Sequence, residues 1–468
     1  MSVNDSEHGS APGQPPFPGP DTIVALATAV GGPIAVLRVS GPGAVRVVEA
    51  VWSGRLPLSR PPFRQMRLGV VTGPDRERVD RALAVYFPSP ASYTGEDVAE
   101  IQCHGGVLPA RLVLLGLLRA GARMAEPGEF TKRAFLNGKM DLTQAEAVAD
   151  LISAHSEMAL HLALSQLSGE LRTRLDRVYE RLTSVRSDLE ACLDFGDSDA
   201  AFPDPGGLDR VLVDLHGQLD VLWASQREGA VLRQGVRLVL AGPANVGKSS
   251  LLNRILGRDR AIVTHLPGTT RDTLEEPAHI RGIPVSLVDT AGIRDTVDLV
   301  ERTGVQRTYA SIREAQVLLW IVDAADSDTW QRPPRDAGLG PVITVINKRD
   351  LTGSEAQERC LRALGTESVP VSALTGEGID ALFDAVEQAV WRSPHTEAPA
   401  VAVNARHAGL LREALDALHA TRACMARGEW ETAAVCIRDV QDAVGRVLGR
   451  TVAPDVLDRI FGRFCIGK

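Results

Sequence analysis

The stretch Gly242-Pro243-Ala244-Asn245-Val246-Gly247-Lys248-Ser249-Ser250 constrains this chain more than any other. It follows the apolar run Val236 to Leu240 and precedes a helix-like segment, Leu251-Leu252-Asn253-Arg254-Ile255-Leu256. A glycine-rich turn between a strand and a helix lets several backbone N–H groups converge on phosphate oxygens, at the positive end of the helix dipole. In such a loop a lysine at position 248 neutralises the β and γ phosphates, and the Ser249 hydroxyl ligates Mg²⁺. This stretch predicts a phosphate-binding loop in a domain where strands alternate with helices as a parallel, doubly wound sheet requires.

Four further motifs stand downstream, each placed relative to a strand-like run. Asp289-Thr290-Ala291-Gly292 follows the apolar run Val285 to Val288, so its aspartate lies at a strand end and can hold the Mg²⁺ shell from the far side. Between it and the phosphate loop lies Gly268-Thr269-Thr270-Arg271-Asp272, whose threonine can close over the γ-phosphate and complete the metal's coordination. Asn347-Lys348-Arg349-Asp350 follows a run from Val342 to Ile346, and Ser372-Ala373 follows another. The carboxylate of Asp350 can accept hydrogen bonds from both the N1–H and the exocyclic amine of guanine, a pair adenine does not offer. Sites built on such pairs reject the wrong base by roughly 10⁴–10⁵-fold. The nucleotide is therefore read as GTP, with contacts from Asn245, Val246, Gly247, Lys248, Ser249 and Ser250 in the first loop. The remaining contacts fall on Thr264, His265, Leu266, Pro267, Gly268, Thr269 and Thr270, on Asp289, Thr290, Ala291 and Gly292, and on Asn347, Lys348, Asp350, Ser372, Ala373 and Leu374.

With 468 residues the chain has room for two to four domains. Its 51 basic and 59 acidic side chains leave a net charge of −8, which argues against a protein that coats nucleic acid, although a local basic face can still hold a structured RNA. The 6 cysteines are dispersed without a C-x-x-C pair, which fits a reducing cytoplasm. No apolar run approaches the ~18 residues a membrane span requires, and no signal-peptide pattern opens the chain.

In chain order, residues 1–20 are rich in Pro, Gly and Ser and read as a disordered extension. Short apolar or alternating runs at 22–27, 35–39, 83–87 and 98–103, followed by a helical pattern over 108–120, predict a compact α+β domain over 21–138. Helical periodicity then takes over across 139–234. Leu164, Leu167, Leu171, Leu175, Val178, Leu182, Val185 and Leu189 recur at spacings of three and four, the stripe of one long amphipathic helix. After the nucleotide domain at 235–391, a second helical part is expected over 392–468, where the same periodicity resumes from Arg406 with Leu411, Leu415 and Leu418, then Ile437, Val440, Val444 and Val447. Both helical regions are expected to form one bundle into which the nucleotide domain is inserted.

Outside these motifs the chain resembles the tRNA modification GTPase family (MnmE, also called TrmE). The resemblance rests on Pro127-Gly128-Glu129-Phe130-Thr131, on Arg133 through Leu142 and on Gln144-Ala145-Glu146-Ala147. It also rests on Tyr93-Thr94-Gly95-Glu96-Asp97 with His104-Gly105-Gly106, and on the terminal Phe464-Cys465-Ile466-Gly467-Lys468. It implies a multidomain α/β protein: an N-terminal α+β folate-binding-like domain that makes a homodimer, a discontinuous α-helical bundle, and an inserted Ras-like P-loop GTPase domain. It further implies a cytoplasmic enzyme that works on tRNA in a heterotetramer with a flavin-containing partner (MnmG, or GidA). The product carries an aminomethyl or carboxymethylaminomethyl group on C5 of the wobble uridine, with carbon from a 5-formyl or methylene tetrahydrofolate. Arg38, Glu96, Lys139 and Lys468 match the folate-contacting positions. Cys465 is a candidate functional thiol, and on the sequence alone it reads equally as a buried structural one.

Position 293, where Ras-like enzymes carry a water-orienting glutamine, is isoleucine here. The resemblance fills the gap with Glu301, acting through a second water, and with a potassium ion in place of an arginine finger. The K⁺ ligands would be Asn245, Thr264, Leu266 and Thr269, while Mg²⁺ falls to Ser249 and Thr270. A ribosome-assembly GTPase, an rRNA-binding switch with the same loop and the same gap, is the alternative reading. Such relatives usually carry an RNA-binding module after the GTPase domain.

Overall fold

The computed structural model describes residues 21–194, 205–259, 275–289, 314–333, 340–365, 368–391 and 401–468. Its contacts divide the chain into two compact units. One holds the described residues up to Ala149 together with Gly449–Lys468, and the other holds Asp150–Leu448.

The first unit is built on a sheet of seven strands in the order β3-β4-β5-β6-β2-β1-β7. These are β1 Ile23–Leu26, β2 Ile34–Ser40, β3 Trp52–Gly54, β4 Arg67–Thr72, β5 Arg78–Phe87, β6 Val98–His104 and β7 Arg123–Met124. Neighbours run antiparallel except β7, which lies parallel to β1. The helices Ala44–Val51 and Val107–Arg119 cover one face, burying Val47, Val48, Val113 and Leu117 against Leu37, Val39 and Ile101. The sequence signals β1, β2, β5 and β6, whose residues alternate or run apolar. It misses β4, and also β3 and β7, which are too short to show a period. Gly449–Lys468 joins this unit through the helix Pro454–Phe461, whose Leu457 and Phe461 pack on Leu142 and Ala145.

The second unit contains a helical body. Leu171, Leu175, Val178, Leu182, Val185 and Leu189 of the helix Glu170–Asp194 are all buried. They share one core with Leu212, Leu215 and Leu219 of the helix Pro205–Ala224, with Leu411, Leu415 and Leu418 of Ala405–Ala426, and with Ile437, Val440 and Val444 of Trp430–Leu448. Helical segments on either side of the nucleotide domain therefore do form one bundle. The stripe is shorter than the periodicity suggests, because Leu164 and Leu167 belong to a separate helix, Glu157–Leu167. That helix closes at Gly169, which adopts φ +89°, and Leu164 faces out. A left-handed glycine satisfies the last carbonyls of a helix and ends it.

Inserted in this body is a six-stranded sheet ordered β13-β12-β11-β8-β10-β9. Its members are β8 Val236–Ala241, β9 Glu275–Ile280, β10 Ile283–Asp289, β11 Val317–Asp323, β12 Val342–Asn347 and β13 Val369–Pro370. All pair in parallel except the edge strand β9, which is antiparallel to β10. A parallel sheet carrying one antiparallel edge is common in doubly wound folds. Strands β8, β10 and β11 are buried almost throughout, as a sheet covered on both faces requires. Among the described residues no helix is long and apolar enough to cross a membrane.

Candidate functional site

The phosphate loop occupies the turn between β8 and the helix Lys248–Asp259. Gly242 has φ +148°, and a Cβ there would lie 2.1 Å from the Ile321 carbonyl oxygen. Gly247 has φ +93°, and a Cβ there would lie 2.4 Å from the Asn347 Nδ2. A side chain at Gly242 would have to move the backbone, and one at Gly247, at a φ that L-residues rarely adopt, would have to displace the Asn347 amide. Asn245 takes φ +61°, a conformation asparagine tolerates better than most. Lys248 is buried and folds back over its own loop, with Nζ donating to the carbonyls of Gly242 at 3.2 Å and Pro243 at 2.7 Å. Ser249 Oγ donates to Asp289 Oδ2 at 2.7 Å, so a hydroxyl and a carboxylate at the end of β10 meet at the loop's mouth. That paired set of oxygen donors suits a hard divalent cation such as Mg²⁺.

The Asn347-Lys348-Arg349-Asp350 and Ser372-Ala373 motifs meet the same loop through one buried side chain. Asn347 ends β12 and is 1% exposed. Its Nδ2 donates to the Val246 carbonyl at 2.9 Å, and its Oδ1 accepts from the Ala373 N–H at 3.0 Å. The left-handed Lys348 donates from Nζ to the Asn245 carbonyl at 2.8 Å and to Asp323 Oδ2 at 2.6 Å. Asp350 Oδ1 accepts from Ser372 Oγ at 2.5 Å, and that hydroxyl accepts from the Thr375 N–H at 3.1 Å. Leu374 is 75% exposed beside them. Of the remaining nucleotide positions, Ser250 opens the helix and is exposed. Thr264, His265, Leu266, Pro267, Gly268, Thr269, Thr270, Thr290, Ala291, Gly292 and Glu301 lie outside the described residues.

Asp323 escaped the sequence reading, as did the strand β11 that it ends. The signal was present in Val317-Leu318-Leu319-Trp320-Ile321-Val322, an apolar run closed by an acid. Arg254, whose Nε donates to the Ala373 carbonyl at 2.8 Å, also escaped it, because a lone arginine on a helix carries no pattern.

A second cluster lies in the first unit. Arg38, on β2, donates from Nε to Glu100 Oε1 at 2.8 Å. Its guanidinium sits 5.6 Å from the centre of the Tyr93 ring and 5.9 Å from that of Phe130. Glu96 Oε2 accepts from Ser40 Oγ at 2.8 Å and from Arg133 Nη1 at 3.1 Å. Arg133 also pairs with Asp21 and, at 2.9 Å, with Glu129, to which Arg123 donates at 2.6 Å. Burial alone would raise the carboxyl of Glu129. The hydrogen bonds from Arg123, from the Glu126 N–H and from Arg133 outweigh it and hold that carboxyl below its ordinary range.

Lys139 Nζ donates to the Pro90 carbonyl at 3.1 Å, and its stem passes Gly95, next to Glu96. The terminal segment threads into the same region: the Phe130 N–H donates to the Lys468 carbonyl at 3.2 Å and the Gly128 N–H to that of Cys465 at 3.4 Å. A Cβ on Gly467 would lie 2.6 Å from the Leu26 carbonyl oxygen, so the tail runs tight against β1. Arg38 and the Lys468 carbonyl thus both meet Phe130, and the Lys139 stem meets Gly95, the neighbour of Glu96 in sequence. Cys465 is exposed, whereas burial pushes the thiols of Cys103 and Cys360 up to about 11. His104 is held outside this cluster, with Nδ1 2.9 Å from Asp80.

Comparison with known proteins addresses the chain almost whole. Residues 142–465 match the MnmE helical domain, and residues 22–139 match the GTP-binding protein TrmE N-terminus. The tRNA modification GTPase MnmE of Symbiobacterium thermophilum is 43% identical over 462 residues, covering 96% of this chain and 100% of that protein. Its counterpart from an Azoarcus species is 44% identical over 454 residues, covering 96% and 98%. The FeoB G-domain of Methanococcus jannaschii, a solved structure, superposes with a TM-score of 0.23 at 22% identity, over 33% of this chain and 97% of that one. A match of this extent, on a chain with a P-loop joined to its base-reading motifs, places it in the tRNA modification GTPase family MnmE, as an enzyme that hydrolyses GTP in tRNA modification.

Proposed function

We propose that this chain is a potassium-activated GTPase that acts as a homodimer with a flavin-containing partner subunit. Together they install an aminomethyl or carboxymethylaminomethyl group on C5 of the wobble uridine of certain tRNAs, drawing the carbon from a tetrahydrofolate derivative. The observation that carries this reading is the presence, in one chain, of two separate built sites: the nucleotide loop joined through Asn347, and the Arg38–Glu96 cluster.

In the nucleotide site Ser249 and Thr270 hold Mg²⁺, with Asp289 in its outer shell. Asn245, Thr264, Leu266 and Thr269 hold K⁺, which offsets the charge that develops between the β and γ phosphates. Glu301 orients the attacking water, and Asp350 reads the guanine edge with the turn at Ser372, Ala373 and Leu374 beside it. In the first unit Glu96 offers the pterin amine and ring N–H groups a fixed acceptor, and Arg38, Lys139 and Lys468 supply positive charge. The fit is supported by the pairing of Ser40 and Arg133 on Glu96 and by the two rings that flank Arg38. On this reading residues 21–138 form the folate and dimer domain, 235–391 the GTPase module, and 139–234 with 392–468 the helical body, whose last stretch, Gly449–Lys468, packs with the first unit, in a cytoplasmic enzyme.

The test is GTP turnover by the full chain in potassium against sodium at matched ionic strength, with and without Glu301→Ala. Strong activation by potassium that the substitution abolishes is expected. Equal, slow turnover in both salts would overturn the cation mechanism and shift weight to a binding switch.

A further inference from the structure

We infer that Arg254, on the helix that follows the phosphate loop, is a positioning residue for base recognition: it sets the peptide planes that face guanine. The inference rests on the guanine pocket proposed above and adds a residue to it.

Arg254 Nε donates to the Ala373 carbonyl at 2.8 Å, and its Nη2 donates to the Leu374 carbonyl. One guanidinium fork thus grips two successive carbonyls, a geometry lysine cannot reproduce. A trans peptide is planar, with its C=O and N–H on opposite sides. Holding the Ala373 carbonyl toward Arg254 therefore turns the Leu374 N–H the other way, and that N–H has no hydrogen-bond partner among the described residues. Holding the Leu374 carbonyl fixes the Thr375 N–H in turn. This donor caps Ser372 Oγ, which orients Asp350.

The two planes do different things. The first leaves a donor in the turn that carries Ser372, the hydroxyl paired with Asp350, and the ring carbonyl of guanine needs one; the second aims the carboxylate at the N1–H and amine. Because Arg254 grows from the helix that starts at Lys248, base reading is tied to the phosphate loop by a route independent of Asn347.

The test is competition against a fluorescent GDP on the full-length protein, using GDP and its 2-aminopurine analogue, which lacks both the ring carbonyl and the N1–H. Arg254→Ala is expected to weaken GDP about tenfold, the scale of one or two charge-assisted hydrogen bonds, and to change the analogue by less than about twofold. Arg254→Lys should recover part of the loss. Arg258→Ala, on the same helix as Arg254, removes a pair with Asp380 of the helix Ile379–Trp391 and should leave both ligands as in the wild type. Equal losses for GDP and analogue, or none for either, would overturn the inference. If Arg254→Ala does not fold, Arg254→Lys carries the test: an unchanged GDP affinity would overturn it as well. A wild-type protein that binds GDP and analogue equally would instead overturn the pocket itself.

Discussion

The nucleotide site and the Arg38–Glu96 cluster are both polar sites built on interior strands of a sheet, yet they are held by different forces. In the nucleotide site the fixing contacts run mainly from side chain to backbone: Asn347 to Val246 and Ala373, Lys248 to Gly242 and Pro243, Arg254 to Ala373 and Leu374. In the cluster they run from charge to charge: Arg133 with Asp21, Glu96 and Glu129, Arg123 with Asp21 and Glu129, Arg38 with Glu100. Backbone acceptors do not titrate and do not depend on the partner's charge. The first site is therefore fixed mostly by acceptors that carry no charge, whereas the second can be loosened by removing a single charge.

The largest effect expected from breaking this contrast is at Asp350. Asp350→Asn presents a donor where guanine needs an acceptor. Competition binding should show GTP affinity falling on the order of 10⁴-fold while xanthosine triphosphate gains. Unchanged GTP affinity would remove Asp350 from the pocket.

A middling effect is expected at Glu129. It is buried and accepts from both Arg123 and Arg133, so Glu129→Gln leaves two guanidinium groups short of a carboxylate. Because Arg123 can turn to solvent, the cost should be about 2 kcal/mol, measurable by denaturant unfolding. The sign with pH follows from the direction of the shift. The carboxyl of Glu129 is held below its ordinary 4.5, and that of Asp21 below 3.8 because hydrogen bonds from Arg123 and Arg133 outweigh the effect of burial. Their contribution is full above those ordinary values and is lost as the pH falls through the lowered ones. The wild type should lose stability on acidification below about pH 4.5, and Glu129→Gln should lose less over the same interval. Parallel acid profiles for the two proteins would show that Glu129 carries no such linkage.

The smallest effect sharpens the comparison from the other side. Lys132 pairs with Asp458 at 2.6 Å, but the Asp458 side chain is 66% exposed. Lys132→Met should cost less than about 1 kcal/mol in the same unfolding experiment. A loss as large as that of Glu129→Gln would mean that charge pairing in this unit acts regardless of burial.

The two sites were unequally legible in advance. Asn245 to Ser250, Asp289, Asn347 to Asp350 and Ser372 to Leu374 stand in short contiguous runs after strands, because a loop that wraps a phosphate or a base is made by neighbours in sequence. Arg38, Glu96, Lys139 and Lys468 are scattered along the chain, and only the likeness of the surrounding motifs to a known family brought them together. Nothing local marked Arg133 or Glu129 as the pair that supports Glu96.

By itself the sequence determined the nucleotide loop, the order of the base-reading motifs and the apolar stripe from Leu171 to Leu189, since each is written as spacing along one dimension. Tertiary structure alone decided that the helix breaks before Leu171 at Gly169, and that Gly449–Lys468 joins the first unit. It alone also decided that Asn347 and Arg254 bridge the phosphate loop to the turn at Ala373. Those outcomes depend on which donors and acceptors come within about 3 Å of each other once the core has packed, and buried polar groups must find partners wherever the fold supplies them.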